Sequence, residues 1–89
     1  MKAILSVFAK DAKGIIAYIT AYLAEQNINI LDISQTLMQE YFTMIMLVDL
    51  TDCPLPFDEL AAALKEKGEA RGLAVNIQRQ DIFDAMHRI

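Results

Sequence analysis

The sequence predicts an α+β fold: four strands and two helices in the order strand, helix, strand, strand, helix, strand, closed by a short helix. Three observations predict it. Four segments of strand length carry alternating or unbroken apolar residues. Two intervening segments repeat apolar residues at helical spacing, Ile15, Ile16, Ile19 and Leu23 in one, Phe57, Leu60, Ala61 and Leu64 in the other. The junctions carry Gly14, Asn27, Pro54-Leu55-Pro56 and Gly72, residues that stop or turn a chain.

Residues 2–9, KAILSVFA, are apolar on both faces, which suits a central strand. From Gly14 to Gln26 the spacing is helical, Ala17, Ala21 and Ala24 add helix propensity, and Asn27 is the stop. Residues 28–38, INILDISQTLM, return to strand character. Ile28 and Ile30 share one face, but Leu31, Ile33 and Leu37 take the other phase, and that switch predicts a bulge near Ile30-Leu31. In residues 41–50, YFTMIMLVDL, one face carries Phe42, Met44, Met46, Val48 and Leu50, the other Ile45 and Leu47. The hairpin turn between these strands falls at Gln39-Glu40, without the Asn-Gly pair that most favours such turns. After Asp52-Cys53-Pro54-Leu55-Pro56 a helix begins, with Pro56 near its first turn and Asp58 and Glu59 at the positive end of its dipole. Lys65, Lys67 and Arg71 fall late, where cations help. Gly68 continues the buried stripe, so it either ends the helix early or admits a close neighbour; Gly72 is the firm stop. Residues 73–80, LAVNIQRQ, set Leu73, Val75 and Ile77 against Asn76, Gln78 and Gln80, as an edge strand does. Asp81 then caps a last short helix, with Ile82, Phe83, Met86 and Ile89 on one side.

This order is the ferredoxin-like βαββαβ plan, an antiparallel sheet of four strands with both helices on one face. Right-handed crossovers leave few alternatives. The other face stays open, and Ile45, Leu47 and one side of residues 2–9 are too apolar to be left to water. A homodimer is therefore expected.

The totals agree. The 89 residues make one domain, spanning 1–89. Apolar residues make up 55% of it, above the usual ~45–50%, which fits a rich core together with a second apolar face that a partner covers. The net charge of −4 argues against nucleic acid, whose binding needs cations to neutralise phosphates, and against a polybasic membrane patch. Cys53 is the single cysteine, which excludes an intrachain disulfide and a multi-cysteine metal site and fits a reducing cytoplasm. The opening MKAILSVFAKDAK mimics a signal peptide, but its apolar run is short and Lys10, Asp11 and Lys13 follow at once, so it reads as a strand. No run approaches the ~20 residues of a membrane helix. A soluble, cytoplasmic protein is expected.

The stretch FAKDAKGII, Phe8 to Ile16, is where chemistry concentrates. Gly14 stands at a strand-to-helix reversal, where glycine can take positive φ or let a backbone or ligand come close. The first N–H groups of the following helix lack partners and favour a carboxylate or phosphate. Asp11 can accept hydrogen bonds from loop N–H groups or from an ammonium. Donors on one side and a carboxylate on the other match the two ends of an amino acid. The same Asp-x-x-Gly spacing also serves as a plain turn and cap, and composition alone leaves both readings open.

Asp11-Ala12-Lys13-Gly14-Ile15-Ile16, followed a helix later by Leu23-Ala24-Glu25-Gln26-Asn27-Ile28-Asn29-Ile30-Leu31-Asp32-Ile33-Ser34-Gln35, resembles an ACT domain, a small regulatory module attached to many amino-acid enzymes. The NILDISQ stretch is similar to that of formyltetrahydrofolate deformylase and of the glycine cleavage repressor. The tail, DIFDAMHRI from Asp81 to Ile89, resembles that of a family of stand-alone single-ACT bacterial proteins. The resemblance spans the whole chain. It implies an amino acid or other small effector bound at a dimer interface, with Asp11, Gly14 and Ile15 on the loop side and Ile28, Asn29 and Ile30 on the strand side of a neighbour. Ala12-Lys13 replaces the Arg-Pro often found before the glycine, and Asp11 replaces the Asn of serine-binding relatives, so serine is not implied.

Other uses of this plan fit less well. An RNA-recognition module needs basic flanks around Phe8, Tyr41 and Phe42, and these are missing. A metallochaperone needs two cysteines in the first loop, and an acylphosphatase-like enzyme an arginine; neither is there. His87 lacks a catalytic companion at a diagnostic spacing and suits a helix end, and Cys53 is a bystander thiol. Met38, Met44, Met46 and Met86 fill core or interface, Tyr18 and Tyr22 hold their hydroxyls near solvent, and Asp32 and Asp49 face water rather than a cation. The expectation is a non-enzymatic sensor without cofactor or metal that binds an amino acid as a homodimer and acts on a partner protein in trans. The second reading is a ligand-free dimer that docks a partner through its open sheet or its tail helix. An enzyme working through Asp11 or His87 ranks third.

Overall fold

The structure, a computed structural model, describes residues 1–10 and 13–86. The elements are β1 (Lys2–Ala9), α1 (Ile15–Glu25), β2 (Asn29–Met38), β3 (Tyr41–Asp49), α2 (Phe57–Ala70), β4 (Ala74–Arg79) and α3 (Gln80–Met86). The strands form one antiparallel sheet in the order β2-β3-β1-β4. β1 is central, as its two apolar faces require, and β2 and β4 are the edges. The core lies between one sheet face and the helices α1 and α2: Leu5 and Val7 of β1, Met44, Met46 and Val48 of β3, Ile19 and Leu23 of α1, and Leu60 and Leu64 of α2 are all but fully buried. This is the expected ferredoxin-like α+β plan, with α3 packed beside β1 and β4.

Both long helices end in the same way. At α1, Asn27 takes a positive φ of 55°, Ile28 N–H donates to Leu23 C=O at 2.9 Å, and Asn27 N–H donates to Ala24 C=O. At α2, Gly72 takes φ 73°, with Leu73 N–H on Gly68 C=O at 2.8 Å and Gly72 N–H on Glu69 C=O. This left-handed termination satisfies carbonyls that a helix end would otherwise leave bare, and it places an apolar pair, Leu23–Ile28, against the core. Gly68 does not end α2. A Cβ there would lie 2.6 Å from Val75 Cγ2 and 3.1 Å from Leu73 C=O, so the glycine lets α2 ride close over β4.

The predicted bulge is present. Ile30 pairs with Val48 and Asp32 with Leu47, leaving Leu31 as the extra residue. Because side chains alternate with period two, that extra residue returns Ile33 and Leu37 to the face used by Ile30. The phase reversal in the sequence is thus undone in space. The turn at Gln39-Glu40 needs a positive φ, and Gln39 supplies it at 55°.

Two expectations change. Tyr18 and Tyr22 face α2 rather than solvent: the Tyr18 hydroxyl donates to Lys67 C=O at 3.2 Å, the Arg71 guanidinium lies 4.1 Å from the Tyr18 ring centre, and the Lys67 ammonium lies 4.7 Å from that of the buried Tyr22. Asp81 sits inside the first turn of α3, two residues later than the cap position at Arg79, and its carboxylate holds Arg79 at 2.8 Å. Met44 and Met46 fill the core, and Met38, 69% exposed at the end of β2, is not a core residue, which leaves the interface half of the expectation for it. No described helix is long and apolar enough to cross a membrane.

Candidate functional site

β1 ends at Ala9, which pairs with Phe42, and Phe42 pairs with Leu37. At this end of the sheet the chain leaves β1 and turns into α1. Gly14 is the N-cap of α1, at φ 73° and ψ −3°, with no side-chain cap bond and no acidic residue in the first turn. A Cβ at Gly14 would meet no atom within 4 Å, so the residue is required for its left-handed φ and not for room. The first-turn N–H groups of Ile15, Ile16 and Ala17 have no helical carbonyl to bond and form a weak positive pole.

Next to this turn lies a cleft of about 700 Å³ between α1 and β2, lined by Ile16, Ile33, Ser34, Gln35, Leu37 and Phe42. Phe42 is buried and Ile16 half-buried. Ile33 and Leu37 point to the helix side of the sheet, yet they are 39% and 65% exposed. They lie beyond the part of the sheet that the helices cover. Among the described residues, none of those lining the cleft is ionisable.

The predicted site residues divide into two groups. Gly14 and Ile15 stand at the start of α1, where Ile15 is buried in the core. Asp11 lies outside the described residues. Ile28 is buried, Asn29 exposed and Ile30 half-buried. Asn29 pairs with Asp49 at the far end of β2 from Leu37, roughly 25 Å along the strand. One chain therefore does not bring its own loop group and strand group together. Sequence reasoning missed Ile16, Ile33, Gln35 and Leu37 as cleft residues. The bulge signal was legible, but that the helix layer stops short of Ile33 and Leu37 was not.

At the Asn29 end the electrostatics are local. Asp49 accepts hydrogen bonds from the Thr51 hydroxyl at 2.6 Å and its N–H at 3.0 Å, and the N-terminal ammonium stands 3.8 Å away. The Thr51 bonds, then the charges of the N-terminus and Lys2, hold the Asp49 carboxyl below its ordinary range. Asp32 is exposed and accepts from Ile33 N–H at 2.8 Å. On the open face, Phe8 and Tyr41 stack with ring centres 5.8 Å apart, and both are exposed, as is Ile45.

The sequence profile of the ACT domain family matches residues 2–78. A UPF0237 protein of Clostridium acetobutylicum is 54% identical over 89 residues, covering the whole of both chains. An ACT domain protein from Streptococcus pneumoniae has the same fold with a TM-score of 0.84 and 42% identity, over 97% of each chain. A formyltetrahydrofolate deformylase from Pseudomonas putida matches in fold, with a TM-score of 0.79 and 20% identity, over 91% of this chain and 29% of the larger enzyme. With a family match across most of its length and a relative of this identity over all of it, the chain belongs to the ACT domain family, whose members are generally regulatory, ligand-binding modules.

Proposed function

We propose that this protein is a cytoplasmic, non-catalytic sensor that binds an amino acid at a homodimer interface and passes that state to another protein in trans. The observation that carries the reading is β2. It is a ten-residue edge strand with one charged residue, Asp32, and with Leu31, Leu37 and Met38 exposed. A long, apolar, unpaired edge is a template for a further strand. A second copy of β2, antiparallel and centred on Ile33, satisfies it. Counting Leu31 as the extra residue, Ser34 then meets the other protomer's Asp32, Gln35 its Ile30, Thr36 its Asn29 and Leu37 its Ile28.

This pairing brings the two groups of predicted residues together across the two-fold axis. Ile28, Asn29 and Ile30 of one protomer come beside Gln35–Leu37 of the other, next to its Gly14 and Ile15. The effector carboxylate takes the first-turn N–H groups of α1, and the Asn29 segment closes the site from the other side. A ligand held by both protomers favours one dimer geometry by no more than its differential affinity for the two states. That shift is the signal.

The test is a thermal-shift screen of the purified protein against the amino acids and a folate panel, confirmed by titration calorimetry. A ligand at 100 times its Kd adds about 2.7 kcal/mol, a rise of several degrees for a domain of this size. No shift at millimolar concentrations removes the sensor reading. The alternative, a ligand-free docking module, is favoured by the exposed Phe8–Tyr41 stack on the open face. In that case a truncation of residues 81–89 or Phe8→Ser abolishes partner capture while sparing the dimer.

A further inference from the structure

We infer that the effector carries a large apolar side chain, aliphatic or aromatic, which seats in the cleft between α1 and β2. This rests on the amino-acid reading above and specifies which amino acids it concerns. The cleft floor is Phe42, its α1 wall is Ile16, and its β2 wall is Ile33 and Leu37. Ile33 and Leu37 belong to the core face of the sheet by register, and neither helix covers them. They are the part of the core that the chain itself leaves unfinished. A volume of about 700 Å³ falls within the ~300–1,000 Å³ typical of small-molecule sites.

Lining chemistry decides the occupant. A glycine or serine ligand leaves water against four apolar side chains. A charged side chain loses its hydration and meets no ionisable partner among the described lining residues. An apolar side chain of three or more carbons removes that water and completes the packing against Ile16, Ile33 and Leu37. Gln35 stands between Ile33 and Leu37 on the same face, and its amide can both donate and accept, so it serves the polar end of the ligand.

The experiment is calorimetric titration of the full chain with each of the twenty amino acids, repeated on Leu37→Gln and Ile16→Ser. Leu37 is 65% exposed, so its replacement spares the fold; Ile16 is on the opposite wall and off the strand edge. Leucine, isoleucine, valine, methionine or phenylalanine is expected to bind about 100-fold or more tighter than alanine or serine, since each methylene in an apolar pocket contributes about 10-fold or more. Each variant is expected to shrink that ratio by about 10-fold or more. Glycine, serine or a charged amino acid binding as tightly as leucine overturns the inference and leaves the amino-acid reading standing. An apolar preference unchanged in both variants overturns the assignment to this cleft. Failure of every amino acid to bind at millimolar concentration overturns the amino-acid reading itself and the inference with it.

Discussion

Gly14 and Gly68 are both indispensable glycines, for opposite reasons. Gly14 has open space where a Cβ would go but a φ of 73°, so any L side chain there carries the left-handed penalty of about 1–2 kcal/mol. Gly68 has helical geometry but no space, with Val75 Cγ2 at 2.6 Å. The two sites therefore rank substitutions differently. At Gly14, asparagine is expected to be milder than alanine, because its side chain suits the left-handed region. At Gly68, alanine gains up to about 1 kcal/mol of helix propensity but overpacks by about 1–3 kcal/mol, and valine is worse. Thermal unfolding of the four variants checks this ordering; alanine tolerated at Gly68 without loss of Tm would mean that α2 does not ride on β4 as closely as described.

The elements hold together largely by contacts between residues far apart in the chain. Tyr18 and Tyr22 of α1 reach across to Lys67, in the last turn of α2, and to Arg71, its C-cap, through one hydroxyl bond and two cation–ring contacts, tying α1 to the C-terminal end of α2. The end of β3 is tied to the start of β1 in a similar way, by Asp49 with Thr51 and the N-terminal ammonium. A carboxyl whose pKa is lowered in the folded state contributes stability in full above its unfolded value, about 3.9 for Asp, and loses that contribution as pH falls through its lower folded value. Denaturant melts at stepped pH are thus expected to show stability decreasing below about pH 4, with Asp49→Asn flattening that part of the acid limb. An identical acid limb in the variant would assign the decline to other carboxylates.

At the scale of the whole molecule, two surfaces remain unfinished: the β2 edge with its cleft, and the open sheet face around Phe8, Tyr41 and Ile45. For the β2 edge the proposed occupant is a second copy of itself, which would extend the strand pairing and bring further residues around the cleft. Ile33→Lys places two ammonium groups opposite each other at the proposed two-fold axis, and lysine is a residue that blunts sheet edges. Light scattering is expected to give the mass of a monomer, with the strand content seen by circular dichroism retained. A dimer that survives this change would move the interface to the open face. Asn29→Ala, at the other end of the strand, is expected to weaken ligand affinity while leaving the dimer mass unchanged.

The sequence by itself determined the order of elements, their limits within a residue or so, the central place of β1 and the bulge after Ile30. Each of these is written in short-range periodicity: apolar residues two apart, three or four apart, or out of phase by one. It also carried the family resemblance in residues 11–35. Only the tertiary structure decided that Ile33 and Leu37, brought to the core face by the bulge, lie past the reach of the helices, that Asn29 and Gly14 stand at opposite ends of the molecule, and that Tyr18 and Tyr22 look inward to α2. The physical reason is common to all three. Periodicity tells which face a side chain takes, but burial depends on where a neighbouring element begins and ends, and that is settled by contacts between residues far apart in the chain.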